Sequence, residues 1–250
     1  MAKKYLVIVG ATSLMAEHCA RRWLELEPCD MVLVGRHGDR LEAVAADLRV
    51  RSPEALISTV VLEDFTDAKA IAGLAETLSQ VRVPDMVLIA HGHLPDQQQC
   101  QTDPDVCRAT IMINAVSPVL FAEAFAGVMQ KAGRGTLGLI GSVAGDRGRR
   151  SNYVYGASKG MVARYAEGLQ HRFAQTDVRV VMIKPGPTDT PMASDFKAKG
   201  MKLAPVDEVA AVIVNGMNRG VRTIYAPGRW RYIMCIIRHL PFFVFGRLDI

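Results

Sequence analysis

The chain has 250 residues, half of them hydrophobic and 22% charged, with a formal net charge of +5. That length and apolar content suit one α/β domain with a large core and exclude a disordered polypeptide. The mild basic excess favours a phosphate-bearing ligand or an anionic surface; without a basic block interleaved with aromatics it gives no case for nucleic acid. Residues 5–9 form a continuous apolar run that ends at Gly10-Ala11-Thr12-Ser13. The run is too short for a leader peptide or a spanning helix, which points to a cytoplasmic protein. A helix is predicted over 15–26, a strand over 30–34 closed by Gly35, and a helix over 39–50 with apolar residues at 41, 44, 45 and 48. A strand over 57–62, a helix over 68–80 and a strand over 86–90 follow. A long helical stretch over 106–129 is interrupted near Ser117-Pro118. The remainder reads as strand 136–140, helix 155–174, strand 178–183, helix 206–218 and a short strand 223–225.

Strands without alternation are those buried on both faces. Strict alternation of strand and helix with short links therefore predicts a single-domain α/β fold: a Rossmann-like, doubly wound parallel sheet of about seven strands with helices on both faces. The domain is expected over 1–228, with a polar substrate lid over 187–204. Residues 229–250 form an apolar, basic tail of the same domain.

Ligands of such sheets bind at the carboxyl ends of the strands. The first strand ends in Gly10, Thr12, Ser13, Leu14 and Met15. Small residues let backbone approach a pyrophosphate there, and the following helix N-terminus attracts its charge. The competing reading is an ordinary strand-to-helix turn with a Ser/Thr cap. At the end of the second strand the acid that would bind a ribose diol is absent and Arg36 is present, so NADP is favoured over NAD. Asp64 after the third strand is placed to accept from the adenine amino group, with Phe65 beside the ring; Thr66 and Asp67 look like a helix cap. Ala90, His91 and Gly92 bring backbone near the ribose and nicotinamide. His91 and His93 lack a third ligand, and the five cysteines match no zinc or redox spacing, so no metal is expected. Those cysteines read as free thiols of a reducing compartment.

Tyr155 and Lys159 stand four residues apart and share one helix face. A tyrosine hydroxyl titrates too high for a base at neutral pH, and a neighbouring ammonium would lower it. Tyr155 then becomes the proton donor or acceptor for a carbonyl/alcohol pair. The spacing alone is common. Its weight comes from Ser142 at the carboxyl end of the fifth strand, whose hydroxyl can polarise a carbonyl. Asn114 adds to it as a polar residue inside an apolar helical stretch. Asn114 is either a hydrogen-bonded core residue or a bridge to Lys159 through water.

Taken together, the Gly10 turn, Asp64, Asn114, Ser142, Tyr155, Lys159 and Pro185-Gly186-Pro187-Thr188-Asp189-Thr190 resemble the short-chain dehydrogenase/reductase family over most of the chain. The resemblance implies Asn-Ser-Tyr-Lys catalysis of hydride transfer between a nicotinamide cofactor and a small carbonyl or alcohol substrate. It also implies that Ile183, Pro185, Gly186 and Thr188 or Thr190 line the nicotinamide site, that Tyr155 and Lys159 contact the cofactor, and that the protein is a homodimer or homotetramer. Val9, Leu14 and Ala16 depart from the family's Thr-Gly-xxx-Gly-x-Gly turn. A residue with a Cβ resists φ > 0, so Leu14 is expected to narrow the phosphate approach. The alternative this feeds is a catalytically inactive dinucleotide-binding regulator or scaffold.

The tail from Pro227 mixes Trp230, Tyr232 and several phenylalanines with arginines. It is too interrupted to span a bilayer. It reads either as an interfacial segment making peripheral membrane contact or as a helix packed on the sheet or another subunit. The Gly10 turn, Ala90-His91-Gly92, Asp146-Arg147-Gly148-Arg149 and this tail are similar to the decaprenylphosphoryl-2-keto-erythro-pentofuranose reductase branch. That likeness implies a keto-sugar or lipid-linked substrate, whose phosphate the arginines would suit.

Overall fold

In the computed structural model, residues 3–198 and 200–248 are described; Met1, Ala2, the lid residue Lys199 and the last two residues of the tail lie outside them. The first half alternates strictly: β1 (Lys4–Val9), α1 (Leu14–Leu26), β2 (Cys29–Gly35), α2 (Gly38–Arg51), β3 (Ile57–Val61), α3 (Ala68–Val81) and β4 (Met86–Ile89). Two short helices follow, α4 (Gln97–Thr102) and α5 (Pro104–Ile111). A π-helical turn (Met112–Val116) then runs into α6 (Ser117–Ala132) and β5 (Arg134–Ile140). A 3₁₀ turn (Val143–Asp146) precedes α7 (Tyr153–Arg172) and β6 (Asp177–Pro185). The chain closes with α8 (Ser194–Ala198), α9 (Val206–Asn218), β7 (Thr223–Ala226), α10 (Trp230–His239) and α11 (Phe242–Phe245).

The seven strands form one parallel sheet in the order β3-β2-β1-β4-β5-β6-β7. Successive side chains of a strand point to opposite faces, and this sheet is buried on both. Leu6, Ile8, Met31, Leu33 and Leu88 pack with α1, α2 and α9. Tyr5, Val7, Val9, Val32 and Val87 pack on the other face with α3, α6 and α7. The predicted doubly wound sheet is the one observed. By length and composition 104–132 would suit a bilayer span, but Phe121, Phe125 and Met129 are fully buried against the sheet. The order of strands reverses at β1 and β4, where a doubly wound sheet opens its ligand crevice.

Helix signals account for the starts that composition hid. Asp96 accepts from the amides of Gln98 and Gln99 and opens α4. Asp103 does the same for Asp105 and Val106, with Pro104 in the first turn of α5. The predicted interruption at Ser117-Pro118 is instead a π turn beginning at Met112. Pro118 sits in the first turn of α6, where its missing N–H costs little.

Candidate active site

A cavity of about 720 Å³ opens along the carboxyl edge of the sheet. Its first wall is the turn after β1. Gly10 has φ of +78°, and a Cβ there would lie 2.7 Å from the His91 backbone nitrogen, so only glycine fits between β1 and the loop after β4. Thr12, Ser13, Leu14 and Met15 line the cavity beside it. Among the described residues only glycines have positive φ, and Leu14 is simply the first residue of α1. The expected strain at Leu14 is therefore absent. Ser13 stands at the N-cap without using its side chain there, which leaves a hydroxyl beside the positive end of α1.

Arg36 and Phe65 also line the cavity, together with His37 and Arg40, which sequence reasoning missed. Both arginines are exposed. Asp64 does not line it. Its Oδ1 accepts from the Thr66 amide at 2.7 Å and the Thr66 hydroxyl at 2.6 Å, and those bonds hold its carboxyl below the ordinary range. Phe65 is buried, edge-on to His91 and Phe121 with centroids 4.9 and 5.1 Å away. Asp67 caps α3 as expected.

Ala90, His91 and Gly92 lie in the cavity wall. His91 Nε2 pairs with Ser117 Oγ at 2.8 Å, and burial pushes the imidazole down to about 3, so it is neutral. Asn114 is fully buried in the π turn. Its Oδ1 accepts from the His93 amide at 2.9 Å, and its Nδ2 donates to the His93 carbonyl at 2.8 Å. A π turn adds one residue to a helical repeat and so rotates a side chain inward. Here it aims Asn114 at the loop after β4. A Cβ on Gly92 would sit 2.7 Å from Asn114 Oδ1 and 3.2 Å from Lys159 Nζ, which places all three together.

Ser142, Tyr155 and Lys159 also line the cavity. Ser142 Oγ accepts from the Ala144 amide at 3.1 Å and caps the 3₁₀ turn. A Ser142 hydrogen bond also favours the Tyr155 phenolate, as does the charge of Arg149; burial outweighs both, and the phenol titrates above its ordinary value. The sequence assigned that lowering to Lys159. Lys159 Nζ lies 5.8 Å from the Tyr155 ring centroid and donates to the Ile140 carbonyl at 3.1 Å. Its surroundings, 3% exposed, push it down to about 8. Arg149 is a second cation beside Tyr155.

Pro185, Gly186, Thr188 and Thr190 line the cavity after β6. Ile183 does not. It is buried in the sheet core, and its strand partner Ile140 lines the cavity instead. The segment expected to form a lid is pinned at its base, where the Asp189 amide donates to the Ala204 carbonyl at 2.8 Å. Its inner surface is apolar, formed by Met192, Phe196 and Met201. The tail closes the back of this wall. The indole of Trp230 lies where a Cβ of Gly186 would fall, 1.9 Å away. Arg147 donates to the carbonyls of Ile237 and Leu240 and stacks over Phe245 at 3.8 Å.

With that geometry in place, the likeness to known proteins is specific. A family model described as short chain dehydrogenase matches residues 4–200. An uncharacterized oxidoreductase of Mycobacterium tuberculosis is 32% identical over 244 residues, covering 97% of this chain and 96% of that protein. One from Streptomyces coelicolor is 32% identical over 246 residues, covering 97% and 95%. A short chain dehydrogenase from Burkholderia cenocepacia, solved in complex with NADP, superposes with a TM-score of 0.82 at 20% identity, over 99% of this chain and 98% of that one. One from Sphingobium yanoikuyae in complex with NADPH gives 0.79 at 23% identity, over 95% and 96%. The chain belongs to the short-chain dehydrogenase family. It is an oxidoreductase of that family, dependent on a nicotinamide dinucleotide.

Proposed function

We propose that the protein is an NADPH-dependent carbonyl reductase. One observation carries the reading: Ser142, Tyr155 and Lys159 line the same cavity as the Gly10 turn, with the Ser142 hydroxyl near enough to favour the Tyr155 phenolate. The residues suit a dinucleotide. Gly10, Thr12, Ser13 and the start of α1 offer a phosphate cradle. Arg36 and Arg40 offer charge for a 2′-phosphate, which favours NADP over NAD. The nicotinamide would supply a hydride. Ser142 would hold the carbonyl oxygen and Tyr155 would give it a proton. Lys159 would hold the ribose hydroxyls, with Asn114 fixing the loop beside it. Because burial raises Tyr155, its phenol is protonated at neutral pH, the state that reduction needs and oxidation does not. Residues 187–204 act as the lid, and their apolar underside suits a substrate with a hydrocarbon portion.

The tail supports a lipid-linked or keto-sugar substrate met at a membrane surface. Tyr232, Ile236, Phe242 and Phe243 are exposed large side chains, set among exposed Arg231, Arg238 and Arg247. Such a face suits the interface plane, reached from the cytoplasm. Sedimentation with anionic liposomes tests this; a tail that instead joins two or four chains leaves the vesicles untouched and doubles or quadruples the mass. The activity itself is tested by fluorescence titration with NADPH and NADH, then a ketone screen with wild type and Tyr155→Phe. Turnover that survives Tyr155→Phe refutes the mechanism, and failure to bind either dinucleotide refutes the class.

A further inference from the structure

Besides His91 Nδ1, two buried polar atoms in the cavity wall have no partner among the described residues: Arg149 Nε and Asn152 Oδ1. Unsatisfied buried polar groups are rare in folded proteins and call for an explanation. Neither is left over by neglect. Asn152 occupies the N-cap of α7, where an asparagine side chain ordinarily accepts from the first turn. Here Gln97 of α4 takes that task, its Oε1 accepting from the Val154 amide at 3.0 Å. The carbonyl oxygen of Asn152 is thereby spared.

Arg149 likewise makes no ion pair among the described residues. Asp146 is the carboxylate that acts on it. Both oxygens of Asp146 are spent elsewhere, Oδ1 accepting from Lys184 Nζ at 2.6 Å and Oδ2 from the Tyr225 hydroxyl at 2.8 Å. Arg147, two residues away, is committed to the tail. Arg149 is thus a half-buried cation near enough to Tyr155 for each to feel the other's charge. A buried charge is costly unless something pairs with it.

We propose that Arg149 and Asn152 are the specificity-determining residues of the site, selecting a carbonyl compound that bears an oxyanion, carboxylate or phosphate, close to the reacting carbon. The guanidinium pairs with the oxyanion, and the Asn152 oxygen accepts from a neighbouring substrate hydroxyl. The assignment rests on the carbonyl-reductase reading of this cavity. It adds to that reading which ketones are turned over.

The test uses the full chain saturated with NADPH. Two matched pairs serve as probes: benzoylformate against its methyl ester, and dihydroxyacetone phosphate against dihydroxyacetone. Binding is read by calorimetry and turnover by NADPH consumption. In wild type the anion of one pair binds about tenfold or more tighter than its neutral partner, the scale of one charge-assisted contact; which pair shows it separates carboxylate from phosphate. Arg149→Gln removes that preference, leaves NADPH affinity unchanged and does not lower the thermal midpoint, whereas Arg149→Lys keeps part of the preference. Three results overturn the assignment: no preference for either anion in wild type, a preference that survives Arg149→Gln, or equal loss on charged and neutral ketones. The last would mark Arg149 as a residue that only positions the Tyr155 charge. Failure of wild type to bind NADPH would instead remove the underlying reductase reading.

Discussion

Replacing Lys159 by methionine should make the protein more stable while abolishing turnover. In the unfolded chain this lysine titrates near its ordinary 10.5, whereas in the fold burial lowers it to about 8. Between those values the unfolded chain binds more protons than the folded one, so stability rises with pH across that window. Below about 8 the folded protein carries the whole cost of a buried ammonium. At about 1.4 kcal/mol per unit, that cost is about 3 kcal/mol. Methionine matches the stem and carries no charge, but it leaves the Ile140 carbonyl without its Nζ donor, which costs about 1 kcal/mol. Lys159→Met should therefore gain about 2 kcal/mol at pH 7. The gain should shrink as pH rises from 8 and turn into a loss of about 1 kcal/mol above 10.5, where only the missing donor to Ile140 remains. Urea denaturation of both cofactor-free proteins at several pH values measures it, and the difference between them cancels the other titrating groups. A Lys159→Met protein less stable than wild type at pH 7, or a gain that does not change with pH, would refute the argument.

Three further perturbations address separate parts of the site. Arg36→Ala should weaken NADPH binding about tenfold and leave NADH binding unchanged, since only the 2′-phosphate loses a charged partner; fluorescence titration of both dinucleotides checks it. Asn114→Ala removes both hydrogen bonds that clamp His93, and should cost about 2 kcal/mol in denaturant midpoint with an unchanged slope. Gly186→Ala would drive a methyl into the Trp230 indole. It should free the tail helix, raising its proteolysis and shifting tryptophan emission to the red; a tail that stays protected would show that the docking at Gly186 is idle.

Much of this architecture was legible because the governing signals are local. The continuous apolar runs of β1, β2 and β4 became strands buried on both faces, and the alternation with helices dictated the sheet. Tyr155, Lys159 and Ser142 were found because strand ends and the first turn of a helix place side chains at one rim. What escaped depends on tertiary context. The π turn shifts the helical phase by one residue inside a largely apolar stretch, where pattern does not mark it; the reach from Asn114 to His93 does. Helix α4 is polar apart from the buried Cys100, and its start signal is the Asp96 cap. Ile183 and Ile140 are paired neighbours of like chemistry, and no pattern tells which faces the crevice. Leu14 was misjudged because a family glycine was equated with a positive φ, whereas here the helix begins at that residue.

The identity of the cation that acts on Tyr155 changes how the site is expected to respond to substrate. A lysine locked against the Ile140 carbonyl delivers a fixed field. An arginine with an unpaired Nε and no free carboxylate delivers one that a ligand can quench. When an oxyanion pairs with Arg149, the pull of that charge on Tyr155 weakens and the phenol is held more firmly in its protonated form. An anionic ketone would then strengthen the proton donor it is about to use, while a neutral ketone would leave the guanidinium charge acting against it. The same loop carries Arg147 two residues earlier, fastened to α10 and Phe245. The tail is therefore in direct contact with the loop that carries Arg149.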